Sequence, residues 1–240
     1  MKHYRIQLVD ALTQKAISAS GGKVYVAQGG LAAKQTLYTK AGAALSNPVA
    51  LNNGMLEFYV ADTVVDVDLF IQAPSGHFVV VKDVAPSGPN SIYIDKSKAD
   101  TVMVIPFAIA DTSAAAETDT GFDLPAKALV KPQGQAVDVL TADSGITIDV
   151  GTDSGDSGDA DGFVDGLSVA TATLVKATNA NGSVTLGAKL YVQDSANAGD
   201  DFPEADSSQA GKSVTYTLSA GADTAAGFII MPIQLPYASL

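Results

Sequence analysis

The stretch Val64-Val65-Asp66-Val67-Asp68-Leu69-Phe70-Ile71-Gln72 decides the fold class. Val65, Val67, Leu69 and Ile71 alternate with Asp66 and Asp68, a period of two that puts apolar side chains on one face of an extended strand and carboxylates on the other. Such a strand is expected to lie half buried in an antiparallel sheet.

The same period recurs along the chain. Tyr4, Ile6 and Leu8 alternate with Arg5 and Gln7, and Val184, Leu186, Leu190 and Val192 share a face opposite Thr185, Lys189 and Tyr191. Further strands are expected at 146–150 and 214–218. Gly21-Gly22, Asn52-Asn53-Gly54, Pro74-Ser75-Gly76, Asn181-Gly182 and Ala220-Gly221 supply the turns between strands. The helix-leaning residues 108–117 lack an apolar stripe. The chain therefore reads as all-β, a small N-terminal β-module followed by a C-terminal antiparallel β-sandwich or jelly-roll-like barrel.

Composition bounds what such a chain does. It has 240 residues, of which 47% are hydrophobic and 17% charged, the make-up of an ordered globular protein. Residues 1–100 hold 9 Lys/Arg and 8 Asp/Glu, a net of +1, while residues 101–240 hold 5 and 18, a net of −13; the sum is the overall −12. This asymmetry divides the chain into an N-terminal module at 1–110, a linker at 111–121 and an acidic sandwich at 122–240. The acidic balance and the lack of a Lys/Arg stripe with interleaved aromatics argue against nucleic-acid binding. There is no cysteine for disulfides or thiolate ligands. The charged N-terminal MKHYRIQLVD differs from a signal peptide, and the apolar run at 102–110 falls short of the roughly 20 residues of a membrane helix, so a soluble, unprocessed chain is expected.

Asp149–Ser168, DVGTDSGDSGDADGFVDGLS, holds two suggestions of chemistry. Gly155-Asp156-Ser157-Gly158 looks like the surroundings of a serine nucleophile, but the histidines are His3 and His77, and neither has the local context of a catalytic base. These residues read as a polar turn and two surface histidines. Aligned to a calcium loop, the segment puts Ser168 where an EF-hand needs a bidentate Glu, and the match fails. Asp153, Asp156, Asp159, Asp161 and Asp165 still crowd together, so a non-EF calcium site at Asp156, Asp159 and Asp161 stays open beside a solvated strand connection. No other cofactor is indicated. Phosphate-binding Gly-rich loops are missing, and the acids have no apolar neighbours to raise a pKa, so a non-enzymatic role is expected.

The final run FIIMPIQLPYASL is apolar. Pro232 and Pro236 are expected to hold its strand to an edge or a bulged path. Phe228, Ile229, Ile230, Met231, Ile233 and Leu235 are the expected interface with a neighbouring molecule.

Two segments carry a family resemblance. Residues 36–76, with Leu37-Tyr38, Ser46-Asn47-Pro48, Asn53-Gly54 and Phe58-Tyr59-Val60, resemble a β-module that recurs in structural proteins of tailed-phage virions. The segment from ITIDVGTDSGDSGDADGFVDGLSVATATLVKAT to SVTYTL is similar to tailed-bacteriophage capsid decoration (cement, head-stabilising) proteins. The resemblance implies a homotrimer seated on the capsid exterior against the major capsid protein, made in the host bacterial cytoplasm, with no catalytic residues. The alternative is a tail- or head-fibre-associated receptor- or carbohydrate-binding protein, for which Tyr38, Tyr59 and Tyr93 are the candidate aromatics. Fibre shafts show repeats or long heptad runs, and this chain shows neither.

Overall fold

The structure is a computed structural model, and it describes residues 1–19, 21–86, 91–108, 115–125, 128–131, 133–156, 158–180, 183–184, 211–219 and 224–235. In the N-terminal part, β1 (Lys2–Asp10), β2 (Lys23–Gln28), β3 (Leu37–Tyr38), β4 (Ala44–Leu45), β5 (Val49–Ala50), β6 (Met55–Val60), β7 (Val67–Gln72), β8 (Phe78–Val84) and β9 (Ser91–Ile94) form two sheets. The outer sheet has the order β4-β3-β6-β1-β9 and the inner sheet β5-β2-β7-β8. Tyr4, Ile6 and Leu8 of β1 and Leu56, Phe58 and Val60 of β6 meet Val24, Val26, Val67, Leu69 and Ile71 of the inner sheet in one core. The pairing is antiparallel except that β9 runs parallel to β1, with Leu8 opposite Ile92.

The rest of the chain forms a second sandwich from β10 (Asp100–Ala108), β11 (Thr118–Asp123), β12 (Leu129–Val130), β13 (Ala136–Thr141), β14 (Thr147–Thr152), β15 (Val164–Ser168), β16 (Leu174–Lys176), β19 (Ser213–Leu218) and β20 (Ala226–Gln234). A short pair, β17 (Asn179–Ala180) and β18 (Ser183–Val184), precedes β19. One sheet has the order β10-β20-β13-β16, with β12 also on β20, and the other β11-β19-β14-β15. The class is all-β, and β14 and β19, the strands expected at 146–150 and 214–218, pair with each other. Of the strand expected around Val184–Val192, Val184 alone falls in a described element, and its neighbours 185–192 lie outside the described residues.

Strand pairing moves the expected division at 110. β10 pairs with β20 from Asp100↔Gln234 to Ala108↔Ala226, so it belongs to the second sandwich. β11 already starts at Thr118, inside the stretch expected to be a linker.

The terminal strand is likewise not an edge. β20 lies between β10 and β13, and Ile229, Met231 and Ile233 are fully buried. Pro232 fits there because its ladder neighbour changes beside it: β13 pairs through Ile230, β12 begins at Ile233, and the Pro232 carbonyl accepts from the Lys131 amide between them. The missing N–H thus falls in a gap of the ladder. Pro236 lies outside the described residues.

β7 does not have the solvent face that its alternation suggests. All six of its residues are buried. Val67, Leu69 and Ile71 face the outer sheet, and the opposite face, Asp68, Phe70 and Gln72, is covered by the second sandwich. The Phe70 ring stacks on Phe228 of β20 at 5.4 Å, and Phe78 meets Phe122 of β11 edge to face at 5.2 Å. Gln72 donates to the Asp123 carbonyl at 2.5 Å and accepts from the Asp123 amide at 3.4 Å. Lys23 adds an ion pair to Asp123 at 2.8 Å.

Asp68 is fully buried, with its carboxylate satisfied by Lys82 Nζ at 2.9 Å and by the amides of Gly30 and Asp83 at 3.1 and 2.9 Å. Asp83 presents that amide because the β7–β8 register shifts beside it and its φ is +54°. Lys82 also sits 4.6 Å from the Phe228 ring centre and 5.1 Å from that of Phe70. Val65, expected to share the apolar face, precedes the strand and is 73% exposed.

Phe70→Ala removes the aromatic contact that joins the two cores. It is expected to lower unfolding stability by about 3–5 kcal/mol, read from denaturant midpoints.

Candidate functional site

The acidic segment folds as a β-connection. β14 and β15 pair at Ile148↔Leu167 and Val150↔Val164, and Ser154–Asp156 forms a single 3-10 turn between them. The loop is tied to its own base: the Thr152 amide donates to the Asp159 carbonyl at 2.8 Å, the Asp159 amide to Thr152 Oγ1 at 3.1 Å, and the Gly158 amide to the Asp153 carbonyl at 2.9 Å. Gly151 is required by this closure, since a Cβ there would lie 1.8 Å from the Asp159 carbonyl oxygen. Glu117 ties the loop laterally, accepting from the Ser154 amide at 3.0 Å and the Thr215 hydroxyl at 2.8 Å.

Four of the acids have defined surroundings. Asp153 accepts from the Gly155 amide at 2.8 Å. Asp159 and Asp161 come together, and a hydrogen bond between the two carboxyl groups, aided by burial and by the charges of Asp159 and Asp165, pushes Asp161 up to about 6. Asp149 is raised by burial and by Asp165, against the Gly166 amide that donates to it at 2.7 Å. Ser157 and the Asp156 side chain lie outside the description. Among the described residues no group of three or more His, Asp or Glu converges in the manner of a metal site.

The histidines differ from the sequence reading in one case. His3 is exposed, stacked on Tyr59 at 4.6 Å, with Nε2 3.0 Å from Glu57. His77, expected at the surface, is 9% exposed. Its Nε2 lies 2.8 Å from the Lys98 carbonyl, which can only accept, so this nitrogen carries the proton and Nδ1 accepts from the Ser75 hydroxyl at 2.9 Å. The contact pins the β7–β8 turn to the chain that enters β10. Gly76 beside it has φ +83° and packs so closely on Pro125 that a Cβ would lie 2.7 Å away.

The terminal residues expected to form an interface are core residues here. Phe228, Ile229, Met231, Ile233 and Leu235 are 7%, 0%, 0%, 0% and 3% exposed, and Ile230 is half-buried. The flanking strands pair its edges, and the facing sheet and β7 cover the side chains of what looked like an unprotected apolar ending.

The candidate aromatics lie on the outer sheet, Tyr38 and Tyr59 half-buried and Tyr93 exposed. Tyr38 stands opposite Tyr59, and Tyr59 opposite His3, so the three form a row across one face. Tyr93, 54% exposed, is on β9 at the other margin, where Val9 pairs with it. At the β3 margin an open cleft is lined by Gln28, Gln35, Thr36, Tyr38, Thr63 and Asp66 together with neighbouring backbone. The sequence offered Tyr38 as a candidate, gave Asp66 only as the polar face of a strand and did not single out Gln35. Their signal is weak, because a glutamine between short strands and an acid at a strand start are ordinary features.

Comparison of the chain with protein-family models, curated proteins and solved structures finds no match.

The raised Asp161 gives a pH dependence of definite sign. Its carboxyl holds a proton more firmly in the folded chain than in the unfolded one, so its contribution is present near pH 4 and lost as pH rises to about 6. Asp161→Asn is expected to flatten the fall in melting temperature across that window; parallel curves for the two proteins would refute the assignment.

Proposed function

We propose that this chain is a non-enzymatic virion protein that binds the capsid exterior of a tailed phage as a decoration, or cement, protein and stabilises the head. The family resemblance of residues 36–76 and of the acidic segment supplies the class, and the observation that carries the attachment is a built protrusion at the β9 margin. Lys96 at 2.5 Å and the amides of Leu12 and Thr13, both at 3.0 Å, bind the Asp10 carboxylate. The Lys96 contact first, then the amides, hold that carboxyl at about 2. The turn so fixed leaves Leu12 79% exposed, one strand from Tyr93 at 54%.

Leu12, held outward on the pinned turn, and Tyr93 beside it on β9 form an apolar protrusion that a protein partner can bury, the tyrosine being of the type enriched at the centre of interfaces. They lie on the near-neutral part of the chain, whereas the net −13 resides in residues 101–240. This supports seating by the N-terminal sandwich against the major capsid protein, with the acidic loops outward. Attachment as a homotrimer would close the contacts symmetrically and add avidity.

The test is co-sedimentation with phage heads that lack the protein. Wild type is expected to bind and to raise the temperature at which heads rupture, and Leu12→Asp with Tyr93→Asp to bind at least about tenfold more weakly while melting as wild type does. Absence of wild-type binding would overturn the proposal, and full binding by the double variant would move the contact elsewhere. Light scattering of the purified protein is expected to give three times the 24.4 kDa chain mass; a monomer would remove the trimer from the proposal.

A further inference from the structure

The cleft at the β3 margin has a volume of about 520 Å³, within the roughly 300–1,000 Å³ of small-molecule sites. Tyr38 walls it, and the same ring begins the aromatic row that continues through Tyr59 to His3. The cleft thus adjoins a row of half-buried tyrosines that ends at the exposed His3.

Asp66 gives the cleft its chemistry. Among the described residues its carboxylate takes part in no ion pair or hydrogen bond. Its Oδ1 lies over Gly29 so closely that a Cβ there would be 1.8 Å away. Gly29 has no left-handed φ to demand glycine, so the missing side chain serves to make room for the carboxylate. Close enough for the Asp66 charge to act on it, the Tyr4 hydroxyl is buried without a partner, its pKa raised by burial first and by Asp66 second. Beside this cleft the fold leaves one buried polar group, the Tyr4 hydroxyl, unmatched, although buried polar groups are normally paired.

The lining selects a ligand class. It includes a carboxylate and no Lys or Arg, which disfavours phosphates, sulfates and sialic acids. Gln28, Gln35, Thr36 and Thr63 offer amides and hydroxyls that both donate and accept. A sugar ring meets the whole set: adjacent hydroxyls donate to Asp66, others exchange hydrogen bonds with the amides, and the apolar C–H face covers the Tyr38 ring. We infer that this cleft binds a neutral pyranose of a surface glycan. It lies at the opposite margin of the outer sheet from Leu12 and Tyr93, so the inference goes beyond shell attachment and does not rest on it.

The experiment screens the full chain on an array of neutral and charged oligosaccharides and titrates the bound ones in solution. At least one neutral hexose-containing oligosaccharide is expected to bind. Asp66→Asn, which is nearly isosteric, is expected to weaken it roughly ten- to hundredfold, and Tyr38→Ala about three- to tenfold. Gly29→Ala, which displaces the carboxylate without removing a lining polar group, is expected to weaken binding as Asp66→Asn does, and Tyr93→Ala to leave it unchanged. Asp66→Asn is also expected to bind heads as wild type does, which separates failure here from failure of the shell proposal. The inference is overturned if no neutral oligosaccharide binds, if binding survives Asp66→Asn at wild-type strength, or if amines are bound and neutral sugars are not.

Discussion

Everything in this fold depends on the second face of β7. A strand whose sequence alternates Val, Leu and Ile with Asp, Phe and Gln would ordinarily turn its mixed face to water. Here Asp68, Phe70 and Gln72 are covered by another sandwich. Burying a carboxylate costs several kcal/mol unless it is paired and hydrogen-bonded. Asp68 has an ammonium and two amides, and that ammonium also lies over Phe70 and Phe228. Lys82, itself 46% exposed, links the buried Asp68 to the Phe70–Phe228 pair, and without it a buried charge would stand beside the rings.

That junction fixes the relation between the two halves, and functional use follows from it. Gln72, Lys23, Phe78 and Gly76 add contacts to Asp123, Phe122 and Pro125, so a near-neutral end and an acidic end belong to one body. Within the outer sheet the margins differ in kind. The β9 margin offers a fixed apolar protrusion, suited to a protein partner. The β3 margin offers a polar cleft with an aromatic wall, suited to a sugar. A particle-bound protein that holds its shell by one margin leaves the other open to solvent, so the two proposals are geometrically compatible.

Much of this was legible in the sequence, and the failures have physical reasons. The alternations at Tyr4–Leu8 and in 146–150 and 214–218, and the turn at Asn53-Gly54, are local signals and found their elements. Charge changed sign of balance at residue 100, and strand pairing also begins the second sandwich at Asp100; the expected boundary at 110 came from reading a linker into residues whose neighbours are β10 and β11. Burial of Phe70 on the strand's second side and of His77 was not legible, because their partners come from outside the β7–β8 hairpin: Phe228 lies in β20, and Lys98 leads into β10. The run from Phe228 to Leu235 looked exposed because it is apolar on both faces, yet that is also the pattern of a strand buried on both sides. As for the candidate site, Tyr38 was visible as a type, but its convergence with Gln35 and Asp66 depends on the pairing of β3 with β6.

The most direct measurement is scanning calorimetry of the intact chain. If the second face of β7 makes the two sandwiches one body, unfolding occurs in a single transition whose calorimetric and van't Hoff enthalpies agree. Two separated transitions would show that the sandwiches unfold independently, and the proposed opposition of a shell-facing end and an acidic outward end would lose its physical basis.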